Sequence, residues 1–465
     1  MTDFIYDCET FPNCFQINIE DAREGTRWSY EISDRADHSA QIVQMLEIMR
    51  DSGARMVGFN NIGFDYPIIH MLYVMKRATA QQLYNKAMAI IQGDSWTHWV
   101  KPSDRIVEQL DLFKIHHFDN RARSTSLKVL EFNMRMDNVE DLPFDVGINL
   151  TFDQMDVLCS YCWNDIEATK RFYDESRAMI EFRETLTRKY HRDFMNHNDT
   201  KIGKDFFIME LERNGVECYT FDQDGRQPRQ TPREQIALRD AILPWIEFDH
   251  PELQRVLDWL KGQTITETKG VFKDLTCIVN GFEFVFGLGG IHGSIESEVV
   301  ESNEEYMVLD LDVTSYYPSL AIGNHFYPEH LGETFCEVYS GLKRQRVAYN
   351  KGTPENAMLK LALNGVYGDS NNPYSVFYDP LFTMKITLNG QLLLCLLSEK
   401  LMGIEDLRLI QANTDGVTIR VPRKHRVQVE FVTDWWEMVT GLQLEEAEYS
   451  RMFIRDVNNY IAEYA

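Results

Sequence analysis

Two apolar strands in this chain end in carboxylates, and any fold must find a use for both. The segment DFIYDCE carries Asp7 and Glu9, and YMVLDLDV carries Asp310 and Asp312. Alternate residues of a strand leave the same face, so each pair presents two acids together. Around the first pair, residues 3–7 and 13–19 read as a hairpin linked through Thr10, Phe11 and Pro12. Helix pattern follows at 39–51, a strand at 55–59, strand text at 104–113, and helices at 124–133 and 153–187. Strands interleaved with helices predict an α/β domain over 1–190. Residues 191–280 read as a mixed connector, with DQDGRQPRQTPREQ as loop and a helical stretch near 231–261. A second, α+β region then opens with FEFVFGLGGIHGSIE and YMVLDLDV. It continues through helices at 335–349, 354–368 and 380–402, a strand–turn–strand at 406–421, a helix at 424–440 and a strand at 445–454. Two sheets, each with acids at strand ends, is the expected organisation.

Composition enters as a set of exclusions. The 465 residues suggest about three domains. A chain this long builds a core without disulfides or a structural metal. Eight cysteines are too dilute for a disulfide scaffold, and the one CxxC, Cys159 and Cys162, reads as two thiols on a helix. The start, MTDFIYDCE, has no basic segment ahead of an apolar run, and no window reaches 18 apolar residues. Neither a signal peptide nor a membrane span is expected. The net charge of −25 argues against an electrostatic coat for nucleic acid, but a site working through metal ions must itself be rich in acids.

The first acids have company. Asp65 follows the apolar strand at 55–59 in GFNNIGFD, and Asp165 in YCWND lies one helical turn after Tyr161. Four acids from three separate elements can converge on two Mg²⁺ or Mn²⁺ ions, which activate a water and hold the leaving oxygen of a phosphodiester, with Tyr161 orienting the water. The three segments DCE, NNIGFD and YCWND resemble the exonuclease motifs of the DEDD superfamily, in the tyrosine variant found in family B DNA polymerases. Asp7, Glu9, Asn60, Phe64, Asp65, Tyr161 and Asp165 match position by position. The resemblance implies an RNase H-like domain over 1–190 that removes mispaired nucleotides in the 3′→5′ direction. It also implies that Asn60 and Phe64 touch the single-stranded DNA 3′ end. Asp111, in LDLFK, is a further strand acid.

The second pair leads into DLDVTSYYPS, an apolar strand that turns into a helix with Pro318 setting the new direction. This resembles family B motif A, with Asp312, Ser315, Tyr317, Pro318 and Ser319 in place and Tyr316 where leucine is usual. The resemblance makes Asp312 a metal ligand and sets Tyr317 under the nucleotide sugar, with Asp310 a neighbouring strand residue. KLALNGVYG places Lys360, Asn364 and Tyr367 on one helical face and resembles motif B, with Gly365 in the serine position. Lys360, then Arg346 and Lys343, are the candidate triphosphate contacts, and Lys343, Arg344, Arg346 and Lys351 make a basic spot in an acidic chain. QANTDGVTIR resembles motif C: Asp415 holds the second metal position and Asn413 stands where an aspartate is usual. FGLGGIHG resembles the glycine motif, with Gly289 and Gly290 beside the template, and Tyr460 matches the end-of-palm K-x-Y region, with Asn458 in the lysine position.

The resemblance divides the chain into the exonuclease domain, a connector over 191–280, palm over 281–334 and 370–465, and short helical fingers over 335–369. It implies two Mg²⁺ or Mn²⁺ per centre, deoxynucleoside triphosphates and primer–template DNA, and no membrane. Five residues follow Tyr460, so a thumb is expected from a longer chain or a separate thumb or processivity partner. The short distance from Asp312 to Lys360 leaves little room for a protein-priming insertion. A pared motif set of this kind looks like phage or plasmid replication machinery working in a bacterial cytoplasm. Two other readings stand beside it: an exonuclease whose palm no longer synthesises, motivated by Asn413 and Asn458, and a non-catalytic primer–template-binding module of a replisome.

Overall fold

A computed structural model describes residues 2–93, 95–223 and 225–465. The chain divides into two units, Met1–Ile202 and Gly203–Ala465, fewer than length alone suggests.

The first unit is built on β1 (Asp3–Phe11), β2 (Cys14–Asp21), β3 (Arg27–Ser33), α1 (Ser39–Asp51), β4 (Arg55–Gly58), α2 (Asp65–Met75), α3 (Ala80–Gln92) and β5 (Glu108–Asp111), followed by α4 (Leu112–Ile115), α5 (Leu127–Asn133), α6 (Phe152–Glu175) and α7 (Arg177–Tyr190). Its five strands lie in the order β3-β2-β1-β4-β5. The β1–β2 and β2–β3 pairs are antiparallel, and β1–β4 and β4–β5 are parallel. Period-two alternation sends Phe15, Ile17, Ile19 and Met56 into one core with residues of α1, α2 and α3. Ile5, Val57 and Leu110 enter another with Leu130 of α5 and Ile166 and Phe172 of α6. Both faces are therefore covered, which is why β2 is buried along its whole length. The helical text at 153–187 is two helices. Buried Ser176 separates them, its hydroxyl donating to the Phe172 carbonyl (2.7 Å) in the helix ladder.

Helix α8 (Asp199–Arg213) leads into the second unit. There β6 (Tyr219–Asp222) and β7 (Gly225–Pro228) pair as a hairpin in the run read as loop. Gly225, whose φ is +106°, opens β7 and pairs with Asp222; Asp224 lies outside the described residues. The helical stretch expected at 231–261 reduces to α9 (Pro251–Lys261), preceded by β8 (Ile236–Ala237) and followed by its partner β9 (Thr264–Ile265). Pro232 and Pro244 break the earlier part.

The main sheet follows: β10 (Thr276–Val279), β11 (Phe282–Gly287), β12 (Gly290–Ser294), β13 (Glu298–Glu301), β14 (Tyr306–Val313), α10 (Tyr316–Gly323), α11 (Thr334–Ala348), α12 (Pro354–Asp369), α13 (Pro380–Leu401), β15 (Arg408–Asn413), β16 (Gly416–Pro422), α14 (Arg426–Thr440), β17 (Leu444–Asp456) and β18 (Asn459–Tyr464). The order is β10-β11-β12-β15-β16-β14-β17-β13, with β18 also on β17, and each of these pairings is antiparallel. Helix α13 is long and apolar enough to cross a membrane by length and composition. Yet 89% of its apolar window is buried, and it packs on β12, β16, α10 and α14 as the core helix of this unit. The architecture is thus mixed α/β followed by α+β on a large antiparallel sheet.

Candidate active sites in the two units

In the first unit the parallel pairing of β1 with β4 ends at Ile5 and Val57, while β1 runs on to Phe11. Asp7 and Glu9 sit in that overhang. Helix α6 closes over it, bringing the Cys162 thiol to 3.7 Å from Asp7 Oδ2. Ligand oxygens of Asp7, Glu9 and Asp165 all lie within 4.8 Å of one another. Tyr161, half-buried one turn before Asp165, has its hydroxyl raised by burial and then by the charge of Asp165. Asp65 is the buried first residue of α2, close enough for its charge to raise the Asp7 carboxyl.

Asp65 is delivered by a loop that Asp111 holds. Asp111 Oδ1 accepts from the backbone N–H of Asn60 (2.9 Å) and Phe113 (3.0 Å), and Oδ2 from Ile62 (3.2 Å). Asn60 is exposed with φ +60°, and Phe64 packs against the core beneath α1–α3. Asp111 therefore clamps the loop, and its charge bears on Asp65.

Burial dominates the electrostatics of this centre. It pushes Asp65 and Asp165 up to about 8, with repulsion from Asp111 and from Asp7 adding to each. Asp7 and Glu9 are raised by burial and then by Asp65 and by Asp7 respectively. Among the described residues no cation is among the main contributors to any of the four. An all-oxygen, uncompensated donor set of this kind fits hard divalent ions such as Mg²⁺ or Mn²⁺. A cavity of about 880 Å³ in this unit opens at the opposite end of the sheet, and there buried Arg55 is paired with Asp3 (2.7 Å) and Glu184 (2.9 Å).

In the second unit, one cross-strand row carries the chemistry. Glu445 pairs in register with Asp312, Asp312 with Gly416, Gly416 with Asn413, and Asn413 with His292. Residues directly opposite share a face. Gly416 is needed there: a Cβ would lie 1.9 Å from Asp312 Oδ1, so the carboxylate occupies the space a side chain would fill. Asp415 sits in the two-residue turn between β15 and β16, and its carbonyl accepts from Val313 N–H (2.7 Å), fastening the turn beside Asp312. Asp310 is spoken for. Thr418 Oγ1 and the Tyr449 hydroxyl each donate to it at 2.7 Å.

A cleft of about 760 Å³ gathers Asp312, Asp415, Ser315, Tyr317, Lys343, Arg346, Lys360 and Asn364. Lys351 of the basic spot lines it too, as do Glu445 and Asn356; neither of these two was singled out from sequence, because only the β14–β17 register and the packing of α11 on α12 bring them in. Acids thus line the sheet side and cations the helical side. Burial pushes Asp312 up to about 7, helped by Asp310, Asp415 and Glu445; Asp415 is also raised, by burial and then Asp310. Lys343, lowered by burial, donates to Ser319 Oγ (2.7 Å).

The remaining predicted residues sit around this cleft. Ser315 adopts a left-handed φ of +48° at the strand-to-helix turn. The Tyr317 hydroxyl donates to the Gly289 carbonyl (2.9 Å), and its ring lies 4.5 Å from that of Tyr367. Tyr367 in turn donates to the Leu288 carbonyl (2.7 Å). At Gly290, φ is +138°, and a Cβ would meet the Thr414 Cα at 3.0 Å. Buried Tyr316 donates to the Gly390 carbonyl (2.5 Å), which satisfies its hydroxyl inside the core. Tyr460, on β18, feels the charges of Asp310, Asp312 and Asp415, which raise it after burial.

No protein-family model matches the chain, and no curated protein matches it. Among solved structures it is similar to the family B DNA polymerase from the hyperthermophilic archaeon Pyrobaculum calidifontis, at 12% identity and a TM-score of 0.47. The match covers all of this chain and 59% of that one.

Proposed function

We propose that this chain is a template-directed DNA polymerase of the family B kind with a 3′→5′ proofreading exonuclease. The first unit is then the RNase H-like exonuclease. The second comprises connector, palm and short fingers formed by α11 and α12. The observation that carries the reading is the cleft in which Asp312 and Asp415 face Lys343, Arg346 and Lys360. An acidic wall suited to divalent ions opposite a cationic wall suited to phosphates is what nucleotidyl transfer from a triphosphate requires.

In this reading Asp312 and Asp415 hold the ions, with Asn413 contributing at most a neutral amide. When bound, Mg²⁺ or Mn²⁺ lowers the barrier to attack by the primer 3′-oxygen on the α-phosphate and stabilises the departing pyrophosphate. Lys360, Arg346 and Lys343 hold the triphosphate as negative charge moves onto the leaving group. Asn364 lies one turn beyond Lys360, on the same helical face. Tyr317, braced by Tyr367 and by Gly289, packs its ring under the sugar where a 2′-hydroxyl would need room. Gly289 and Gly290 let the template backbone pass close by, and Tyr460 contacts the primer end. In the first unit Asp7, Glu9, Asp65 and Asp165 hold the ions for hydrolysis, Tyr161 orients the attacking water, and Asn60 and Phe64 position the single-stranded 3′ end.

The test is a gel assay of a labelled primer–template in Mg²⁺ with and without the four deoxynucleotides, comparing wild type, Asp312→Ala and Asp65→Ala. Extension should vanish only in Asp312→Ala and degradation only in Asp65→Ala. Degradation without extension in wild type would refute the polymerase reading. Asn413 favours that second reading, an exonuclease with an inactive or partner-dependent palm.

A further inference from the structure

The strand beside the D-x-E strand carries two buried amides that lie opposite its acids. Asn18 pairs in register with Asp7, and Gln16 with Glu9. Both amides are essentially inaccessible, at 0% and 2% exposure. Each reaches helix α6: Gln16 Nε2 donates to the Met155 carbonyl (2.9 Å) and Asn18 Nδ2 to the Cys159 carbonyl (3.2 Å). The same strand face continues the pattern. Cys14 packs with Met155 and Leu158, while Glu20 binds Arg27 (2.7 Å), which lies over the Trp163 ring and reaches Glu167 (3.1 Å). Two residues along a strand advance about 6.6 Å and four along a helix about 6 Å. Residues 16, 18 and 20 therefore step in time with 155, 159 and 163.

We propose that Gln16 and Asn18 are positioning residues for the carboxylate centre of the first unit, setting both the slide and the rotation of α6. Apolar packing alone lets a helix shift along a sheet at small cost, whereas a donor aimed at one carbonyl does not. With α6 held at Met155 and Cys159, Tyr161, Cys162 and Asp165 fall over Asp7 and Glu9. Stability alone is an incomplete account of these amides. The two carbonyls belong to the body of a helix whose own N–H groups already serve them, and Gln16 Oε1 is buried with no partner among the described residues. The second Gln16 hydrogen goes to Glu31 (3.0 Å), which Arg35 links to Asp156 at the start of α6, so this end of the helix is tied twice.

The inference rests on the exonuclease reading of this centre. The experiment measures degradation of single-stranded DNA by the full chain carrying Gln16→Leu, Asn18→Leu or Asn18→Ser, beside Ile17→Val, whose side chain enters the opposite core. The amide variants should lose about 100-fold in kcat with KM for the DNA changed less than twofold, because a displaced ion site slows chemistry without altering strand binding. Their thermal midpoints should stay within a few degrees of wild type, and Ile17→Val should keep its kcat despite its own loss of stability. Wild-type kcat in the amide variants overturns the proposal, as does a loss matched by the fraction unfolded. If the leucine variants fail to fold, Asn18→Ser alone decides by the same criteria. A wild-type chain that degrades no DNA overturns the exonuclease reading itself, and with it this inference; an active wild type with unaffected variants overturns the inference alone.

Discussion

Gly416 has the least freedom of any residue around the second centre, since Asp312 Oδ1 stands where its Cβ would be. Gly416→Ala must push that carboxylate out of the row. A displacement of about 1 Å at a reacting centre costs on the order of 100-fold in rate. A Cβ there would also meet the Leu311 carbonyl at 2.9 Å, so the expected result is extension reduced by at least that factor with a lowered unfolding midpoint of the second unit and degradation close to wild type, read from the primer–template gel and a thermal melt. Glu445 offers a complementary case. It stands directly across from Asp312 and lines the same cleft, on the side away from Asn413. Glu445→Gln should raise the Mg²⁺ concentration for half-maximal extension by about tenfold, whereas Glu446→Gln, whose side chain leaves the other face toward Arg426, should not. An Mg²⁺ titration of extension by both variants checks this, and equal midpoints would remove Glu445 from the site.

Elements supply the acids of the first centre from three directions, and the loop ahead of α2 is the one without secondary structure to hold it. Asp111 takes on that task through two backbone N–H groups of the loop, Asn60 and Ile62, while its bond from Phe113 caps α4. In Asp111→Asn one oxygen becomes a donor facing the Ile62 N–H, and a charge-assisted acceptor is lost. The cost is about 2 kcal/mol, measurable as a lower denaturant midpoint. Degradation should fall while extension by the second unit persists. Strand β1 matters at the same scale, because it outruns β4 and leaves Asp7 and Glu9 where α6 can cover them. The reading of β1 as ending at residue 7 put the turn too early. Pro12 and Asn13 alone make the link, and the full strand carries both acids. Likewise β13 and β18 were not recognised in the sequence. Short strands at a sheet margin bury little, so their apolar alternation is weak, and only pairing with β17 defines them.

For the whole molecule the acid centres make metal-free stability depend on pH. Asp65 and Asp165 sit near 8 when folded, against about 3.9 for a free aspartate. Between those values the folded chain binds more protons than the unfolded one, so stability falls as pH rises through that window. In chelator the melting transition of the first unit should rise by several degrees from pH 8 to pH 5. Millimolar Mg²⁺ should raise it at pH 8 and do little at pH 5, where protons occupy the carboxylates; a scan at both pH values with and without Mg²⁺ reads all four states. Much of this molecule was legible in the linear text. The helix at 39–51, the strands bearing Asp7 and Asp312, the strand–turn–strand around Asp415 and the helices bearing Lys343 and Lys360 all show in local periodicity, because each buries one face against a core. Tertiary structure alone decided which of these meet. Glu445 reaches Asp312 through a strand register, Asp111 reaches the Asp65 loop through parallel pairing, and Gln16 and Asn18 meet α6 through the match of two rises. Sequence spacing carries the period of an element, but the contacts between elements are set by pairing and packing over long separations, which no local period encodes.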